Sequence, residues 1–255
     1  MKQSASMGVR MVRLAVFGAV LALFPSVGQG SMNLMKAESP GPISTKLRPK
    51  TSETARILYR IYLVLTAAET LLLRIAGLPW FDSITTSLTT ISTGGFSVRD
   101  QSIAYYQSEA VVWIVIVFMF LSAVNFALLF LAVRGQWKDA LKSEELRVYA
   151  GVSLGVTALI TLDLVFRAGQ AVYPSFSQAA FQVVSLMTTT GFITAYFDLW
   201  PRSSQVLLLL VMLVGGCAGS TAGGVKVSRV IVQFKSLRRE LRRILHSREV
   251  HPICL

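Results

Sequence analysis

Apolar residues recur along this chain in runs separated by short basic stretches, and the lengths of the runs predict the architecture. The runs at 57–76, 109–133 and 146–168 are each long enough to cross a hydrocarbon layer of about 30 Å as helices. Two others, at 79–91 and 176–187, are too short to span and read as half-helices that enter the layer and stop. Each half-helix follows a proline and runs into a Thr/Gly turn: Ser92-Thr93-Gly94-Gly95-Phe96 after the first, Thr188-Thr189-Thr190-Gly191-Phe192 after the second. Aligned on Thr-x-Gly-Phe, Thr93 falls opposite Thr189 and Gly95 opposite Gly191. The unit of helix, half-helix, glycine turn and helix therefore occurs twice, at a period of about 95 residues. The predicted fold is an all-α polytopic membrane protein built on this repeated unit.

A Thr/Gly turn at membrane depth cannot face lipid, because its peptide groups would lack hydrogen-bond partners. It belongs inside protein or against a water-filled path, where its carbonyls replace the hydration shell of an ion. A polar outer turn between helices is the plainer alternative, and the repetition favours an ion filter over it.

The last apolar run, 203–214, is a helix of roughly 18 Å that ends within the layer. Gly215-Gly216-Cys217-Ala218-Gly219-Ser220-Thr221-Ala222-Gly223-Gly224 follows, too rich in glycine for a helix interior. Unwound chain at that depth fits a movable constriction below the turns. It also fits close helix packing by small residues. A phosphate-binding loop is excluded, since Val225 precedes Lys226 and no strand leads in. Beyond the glycines, Val227, Val230, Ile231 and Phe234 recur at helical spacing among Lys226, Arg229, Lys235 and Arg238. This basic amphipathic helix suits the surface of an anionic membrane or a cytoplasmic partner, two compatible uses.

Composition narrows the class further. Apolar residues make up 53% of the 255 positions and charged residues 15%, against about a quarter charged in soluble domains. The net charge of +12 would suit nucleic acid, but the basic residues cluster between the apolar runs, as in cytoplasmic loops. Lys36, Lys46, Arg48, Lys50 and Arg56 fall in the 34–56 loop, and Arg134, Lys138, Lys142 and Arg147 in the 134–147 loop, whereas Arg99 and Arg202 stand alone in the turn-bearing segments. The Thr/Gly turns thus face outwards and the loops inwards. The segment 1–33 has a basic start and an apolar core that would suit a signal peptide. Cleavage there would leave the basic loop outside, so it reads as the remnant of a helix. Cys217 and Cys254 offer neither a disulfide framework nor metal spacing, and no cluster of catalytic residues marks an enzyme. Glu69 and Arg74 read as interfacial side chains that snorkel, the alternative for Glu69 being an intramembrane functional carboxylate; Asn125 reads as a helix–helix hydrogen bond ahead of a transport site.

Three stretches together, Ile91-Ser-Thr-Gly-Gly-Phe-Ser97, Met187-Thr-Thr-Thr-Gly-Phe192 and Gly215-Gly-Cys-Ala-Gly-Ser-Thr-Ala-Gly-Gly-Val-Lys226, closely resemble TrkH/TrkG-type potassium uptake subunits, relatives of KtrB. Ala37-Glu-Ser-Pro-Gly-Pro42 is similar to that family's loop after its first repeat. The resemblance implies two complete repeats, 57–133 and 148–245, of a four-repeat potassium-channel-like pore, with the remnant of a first repeat before them and a short tail, 246–255, after them. It implies a potassium filter at Ser92, Thr93, Gly94, Gly95, Thr188, Thr189, Thr190 and Gly191, the ion being held by the carbonyls of Thr93, Gly94, Thr189 and Thr190. It makes 215–224 the gate. It further implies a bacterial inner-membrane protein that needs no cofactor, a cytoplasmic nucleotide-binding TrkA-type regulatory subunit and a homodimer in the intact family member. A non-conducting membrane scaffold is the alternative.

The basic-loop asymmetry has a direct test. Cysteines at Ser102 and Ser175 are expected to react with an impermeant maleimide from outside, and one at Ser143 only after permeabilisation. External labelling at Ser143 would overturn the arrangement.

Overall fold

The structure is a computed structural model that describes residues 51–245. The expectations for 1–33, for most of the 34–56 loop and for the 246–255 tail lie outside the described residues. Every named element within them is helical: α1 (Thr51–Ile75), α2 (Trp80–Ile91), α3 (Glu109–Ser122), α4 (Phe126–Val133), α5 (Trp137–Lys142), α6 (Glu144–Ala168), α7 (Val172–Met187), α8 (Arg202–Leu213) and α9 (Val227–Leu245), with short 3-10 turns at Ser102–Tyr106 and Phe197–Leu199. The half-helix α2 packs between α1 and α3, and α7 between α6 and α8. Contact of α3 with α7 joins the two groups. Leu73, Val115, Met119, Phe181 and Phe192 fill the core on that seam, and Tyr149, Ile160, Leu164, Val183 and Leu208 fill a second one under α6 and α8.

Large apolar side chains also cover the outside. Leu154, Leu159 and Phe166 on α6 and Leu209, Met212 and Leu213 on α8 are exposed, so both helices are apolar on either side, the pattern of a helix that meets lipid or further protein. By length and composition, α6 can cross a membrane, and α3 with α4 qualifies if the pair counts as one span. At 25 residues α1 is long enough, but Arg60, Glu69 and Arg74 interrupt its apolar character.

Several boundaries differ from the sequence reading. Helix α1 starts at Thr51 instead of 57, so the end of the expected basic loop is helical. Helix α7 starts at Val172, because Pro174 falls in a first turn, where its missing N–H removes no helical bond. The 134–147 loop contains the short helix α5. The largest departure is in 109–133, expected as one helix. It breaks after Ser122, and α3 and α4 meet at a bend of 106°. Asn125 caps α4, its side-chain oxygen accepting from Ala127 N at 2.8 Å, so its amide serves a local cap in place of the expected helix–helix bond.

Two labelling positions also need changing. Ser175 is fully buried and its hydroxyl donates to Ala171 O, while the Ser143 hydroxyl is shielded from solvent. Tyr173, about half exposed, and Lys142, with 77% of its side chain exposed, are the reporters that can react. The expected pattern is unchanged: outside for the first, permeabilised cells only for the second.

Candidate functional site

The two Thr/Gly turns have the same backbone. Ser92 and Thr188 cap their short helices with nearly identical dihedrals, φ −77° and ψ −3° in one, φ −81° and ψ −3° in the other. The next residue is left-handed in both, with Thr93 at φ +53° and Thr189 at φ +58°. Threonine rarely adopts this region, because its branched Cβ crowds the backbone there. Gly95 and Gly191, two positions on, are left-handed as well, at +64° and +83°. The same hydrogen bonds close both turns. Gly94 N and Gly95 N both donate to Thr89 O, at 2.8 and 3.3 Å, and Thr190 N and Gly191 N both donate to Ser185 O, at 2.9 and 3.2 Å. These bonds consume N–H groups and leave the carbonyls of the turn without a helical partner.

The turns meet each other. A Cβ added at Gly95 would lie 1.7 Å from Thr190 O, whereas one at Gly191 would meet nothing within 4 Å. Thr188 is buried and its hydroxyl pairs with that of Thr190 at 2.8 Å, which stiffens the second turn from within. An ion pair braces the outer side of the first. Asp82, at the start of α2, is almost fully buried and accepts from Arg99 at 3.0 Å and from the Tyr106 hydroxyl at 3.0 Å. Burial, and then the Asp82 carboxylate it faces, push Tyr106 up to about 12, so it remains a proton donor to Asp82 across the neutral range. This brace ties the chain after the first turn back to the half-helix before it.

The glycine-rich stretch leaves α8 as an unwound loop that returns on itself. Its neck is closed by a bridge between Val214 and Val225, by Gly215 N donating to Val225 O at 2.9 Å and by Val227 N donating to Gly216 O at 3.1 Å. Glycine is required in this neck by space. A Cβ at Gly215 would lie 2.2 Å from Gly223 O, and one at Gly216 would lie 2.6 Å from the Ala222 Cβ and 2.9 Å from Ala123 O. Gly219 and Gly224 supply the two left-handed corners, each at φ +70°, and the Ser220 hydroxyl donates to Cys217 O across the tip.

This loop touches both turns. The Thr93 hydroxyl donates to Thr221 O at 2.9 Å, and Gly223 N donates to the Thr189 hydroxyl at 2.7 Å. It also occupies the break between α3 and α4. Cys217 N donates to Ala123 O at 2.9 Å, Thr221 N to Ser122 O at 3.3 Å, and Phe126 N to Gly219 O at 3.2 Å. The Thr221 hydroxyl reaches Ile91 O at the end of α2. Each unwound segment supplies what the other lacks, in a region where an unpaired peptide group costs several kcal/mol.

The remaining anchor is an acid that the sequence reading passed over. Glu145, in the first turn of α6 and 8% exposed, accepts from Ala218 N at 2.6 Å. In sequence it reads as an ordinary acidic residue at a helix start, and nothing local points to its partner 73 residues away. Lys226, whose ammonium donates to Ala222 O, lies close enough to attract the carboxylate. Next to Glu145, Glu144 accepts from Lys235 of α9 at 2.6 Å. The start of α6 therefore holds both the loop and the basic helix that follows it. The structure brings the two turns together at Gly95 and Thr190 and joins the loop to them through Thr221 and Gly223.

Comparison with known proteins gives a consistent picture. The model of the family TrkH, described as a cation transport protein, matches residues 4–144 and 163–254. The chain is 41% identical to the Trk system potassium uptake protein TrkH of Salmonella typhimurium, an alignment covering 97% of this chain and 51% of that protein. It is 34% identical to the Trk system potassium uptake protein TrkG of Escherichia coli K12, over 92% of this chain and 49% of that one. The crystal structure of the potassium transporter TrkH from Vibrio parahaemolyticus superimposes with a TM-score of 0.79 at 39% identity, covering 87% of this chain and 48% of the other. The chain thus spans about half the length of the curated relatives it matches.

The asymmetry between the turn glycines is testable by thermal melting of the purified protein. Gly191→Ala has room and is expected to cost only the left-handed backbone, about 1 kcal/mol. Gly95→Ala must also push the second turn away, and is expected to lower the melting temperature several times more or abolish folded yield. Equal effects of the two substitutions would mean that the turns are not in contact.

Proposed function

From the premise that the chain belongs to the TrkH family of cation transport proteins, we propose that it forms part of a potassium path across the bacterial inner membrane. The observation that carries this reading is the pair of Thr/Gly turns with one backbone conformation. Each ends a short buried helix and keeps its carbonyls out of the helical ladder. Carbonyls of Thr93, Gly94, Thr189 and Thr190 take the place of water around a dehydrated potassium ion, and the rigid turns fix their spacing. Ser92, Thr188, Gly95 and Gly191 set the two ends of each turn.

The loop from Gly215 to Gly224 is the gate in this reading. It bonds to both turns, and it leads directly into α9, most of whose surface from Val232 to Arg242 is exposed. A cytoplasmic TrkA-type regulatory subunit docks on that basic helix, or anionic lipid does. Either biases opening through unequal affinity for the two loop positions. Glu145 and the Lys235–Glu144 pair make the start of α6 the fixed point against which the loop moves. In this reading the complete pore comprises four such repeats, in a homodimer, and residues 57–133 and 148–245 form two of them.

A non-conducting scaffold role draws support from the same loop, whose bonds to the α3–α4 break serve packing as well as gating. Potassium uptake by uptake-deficient cells, followed by flame photometry, separates the two. The chain is expressed alone and together with the segments by which its longer relatives exceed it. Rescue in either case supports conduction, and failure in both with stable membrane expression supports the scaffold.

In a conducting assembly, deleting residues 218–223 is expected to raise potassium flux and to weaken its dependence on the regulator. A folded deletion protein with unchanged flux in liposomes would remove the gate assignment.

A further inference from the structure

Glu69 is the residue that the description above leaves unused. The sequence reading placed it at the membrane interface, but it is fully buried between α1 and its neighbours, and neither carboxyl oxygen has a hydrogen-bond donor among the described residues. An ionised carboxylate in such a place loses its hydration with nothing in return. An intramembrane acid of this kind therefore needs a specific explanation.

Its surroundings supply acceptors. The Thr90 hydroxyl, at the end of α2, faces the carboxyl, yet its single proton is committed to Thr86 O at 2.8 Å. Thr90 can therefore offer Glu69 only a lone pair. Thr66, on the same helix as Glu69, is committed in the same way to Tyr62 O at 2.9 Å. The Tyr62 hydroxyl is buried near the carboxyl but makes no hydrogen bond to it.

Among the described residues no charged group pairs with it. On α1, Arg60 is exposed and Arg74 donates to Leu78 O. On α2 the one acid, Asp82, is engaged by Arg99 and Tyr106. On α3 the one charged residue, Glu109 at its outer start, accepts from Tyr173, and α4 carries none. A carboxyl closed to solvent, with no pairing charge and no hydroxyl bonded to it among the described residues, fits the neutral acid.

We propose that Glu69 is a positioning residue for the first Thr/Gly turn, held as the neutral acid and donating its proton to the Thr90 hydroxyl. The geometry gives that bond a purpose. Thr90 O accepts from Thr93 N at 3.0 Å, and Thr93 is the left-handed residue from which the turn departs. Thr90 is thus the last fixed point before the strained position. The carboxylic acid secures it from α1, while the glycine loop grips the same turn through Thr93 and Thr221. The second turn has a different support, the Thr188–Thr190 hydroxyl pair, so the acid serves the first turn alone.

Infrared difference spectroscopy of the purified chain in lipid tests this directly. The parent is expected to show a protonated-carboxyl band at neutral and at mildly alkaline pH, lost in Glu69→Gln and shifted in Glu69→Asp. If the substitutions remove only carboxylate bands at neutral pH, the proposal is overturned. A melting series provides the second arm. Glu69→Gln, which keeps a neutral donor, is expected to melt with the parent, and Glu69→Ala well below it. Equal losses in Gln and Ala would show that a charge, not a donor, is needed, and would also overturn it. The role assigned to Glu69 rests on the transport reading, but neither measurement requires potassium flux. A missing band would leave that reading standing, and a failed uptake experiment would leave the band to be explained.

Discussion

Peptide groups without water must find partners in the chain itself, and that constraint organises everything near the centre of this structure. Four stretches at the heart of the helical assembly abandon the helical ladder: the two Thr/Gly turns, the break after Ser122 and the loop from Gly215 to Gly224. Alone, each would leave several donors and acceptors in an apolar medium. Together they exchange them. The break offers Ser122 O, Ala123 O and Phe126 N, and the glycine loop takes all three. The turns offer the Thr93 and Thr189 hydroxyls, and the loop meets both.

This exchange explains why an element with so many glycines is well defined. Glycine in an isolated segment means freedom, yet Gly215 and Gly216 are glycines because neighbouring backbone leaves no space for a side chain. The stem of the loop is packed and its corners are turned by Gly219 and Gly224. Packing and movement are thus not exclusive. In the gate reading, the stem clamped at Val214 and Val225 is the fixed part and the tip the part that changes partners.

Much of this was readable from residues alone, for a physical reason. Short apolar runs followed by Thr/Gly have few places to exist in a bilayer, so pattern and environment together restrict them strongly. The unwound loop was legible because glycine density opposes a helix wherever it occurs. The break at Asn125 was not, because one polar residue in an apolar run is compatible with an unbroken helix. What bends the chain is a cap at Asn125 plus partners from a loop about a hundred residues later. Glu69 was misjudged, and Glu145 passed over, for a related reason. Local sequence gives a charge and a helix position, but burial depends on which distant element packs over the side chain. Glu145 needed the glycine loop to acquire a partner, and Glu69 needed α2.

The reciprocal bonding carries a consequence for how the chain is made. Thr221 meets Ile91 and Thr93 across 130 and 128 residues of sequence, and the loop is nearly the last of the described elements to leave the ribosome. At about 5–20 residues per second, the first turn and the helix break wait on the order of 10 s for their partners. During that interval the partners that satisfy them in the finished structure are not yet made. Arrival of the glycine loop then satisfies three separate segments in one step, so their closure is a single cooperative event keyed by one later segment.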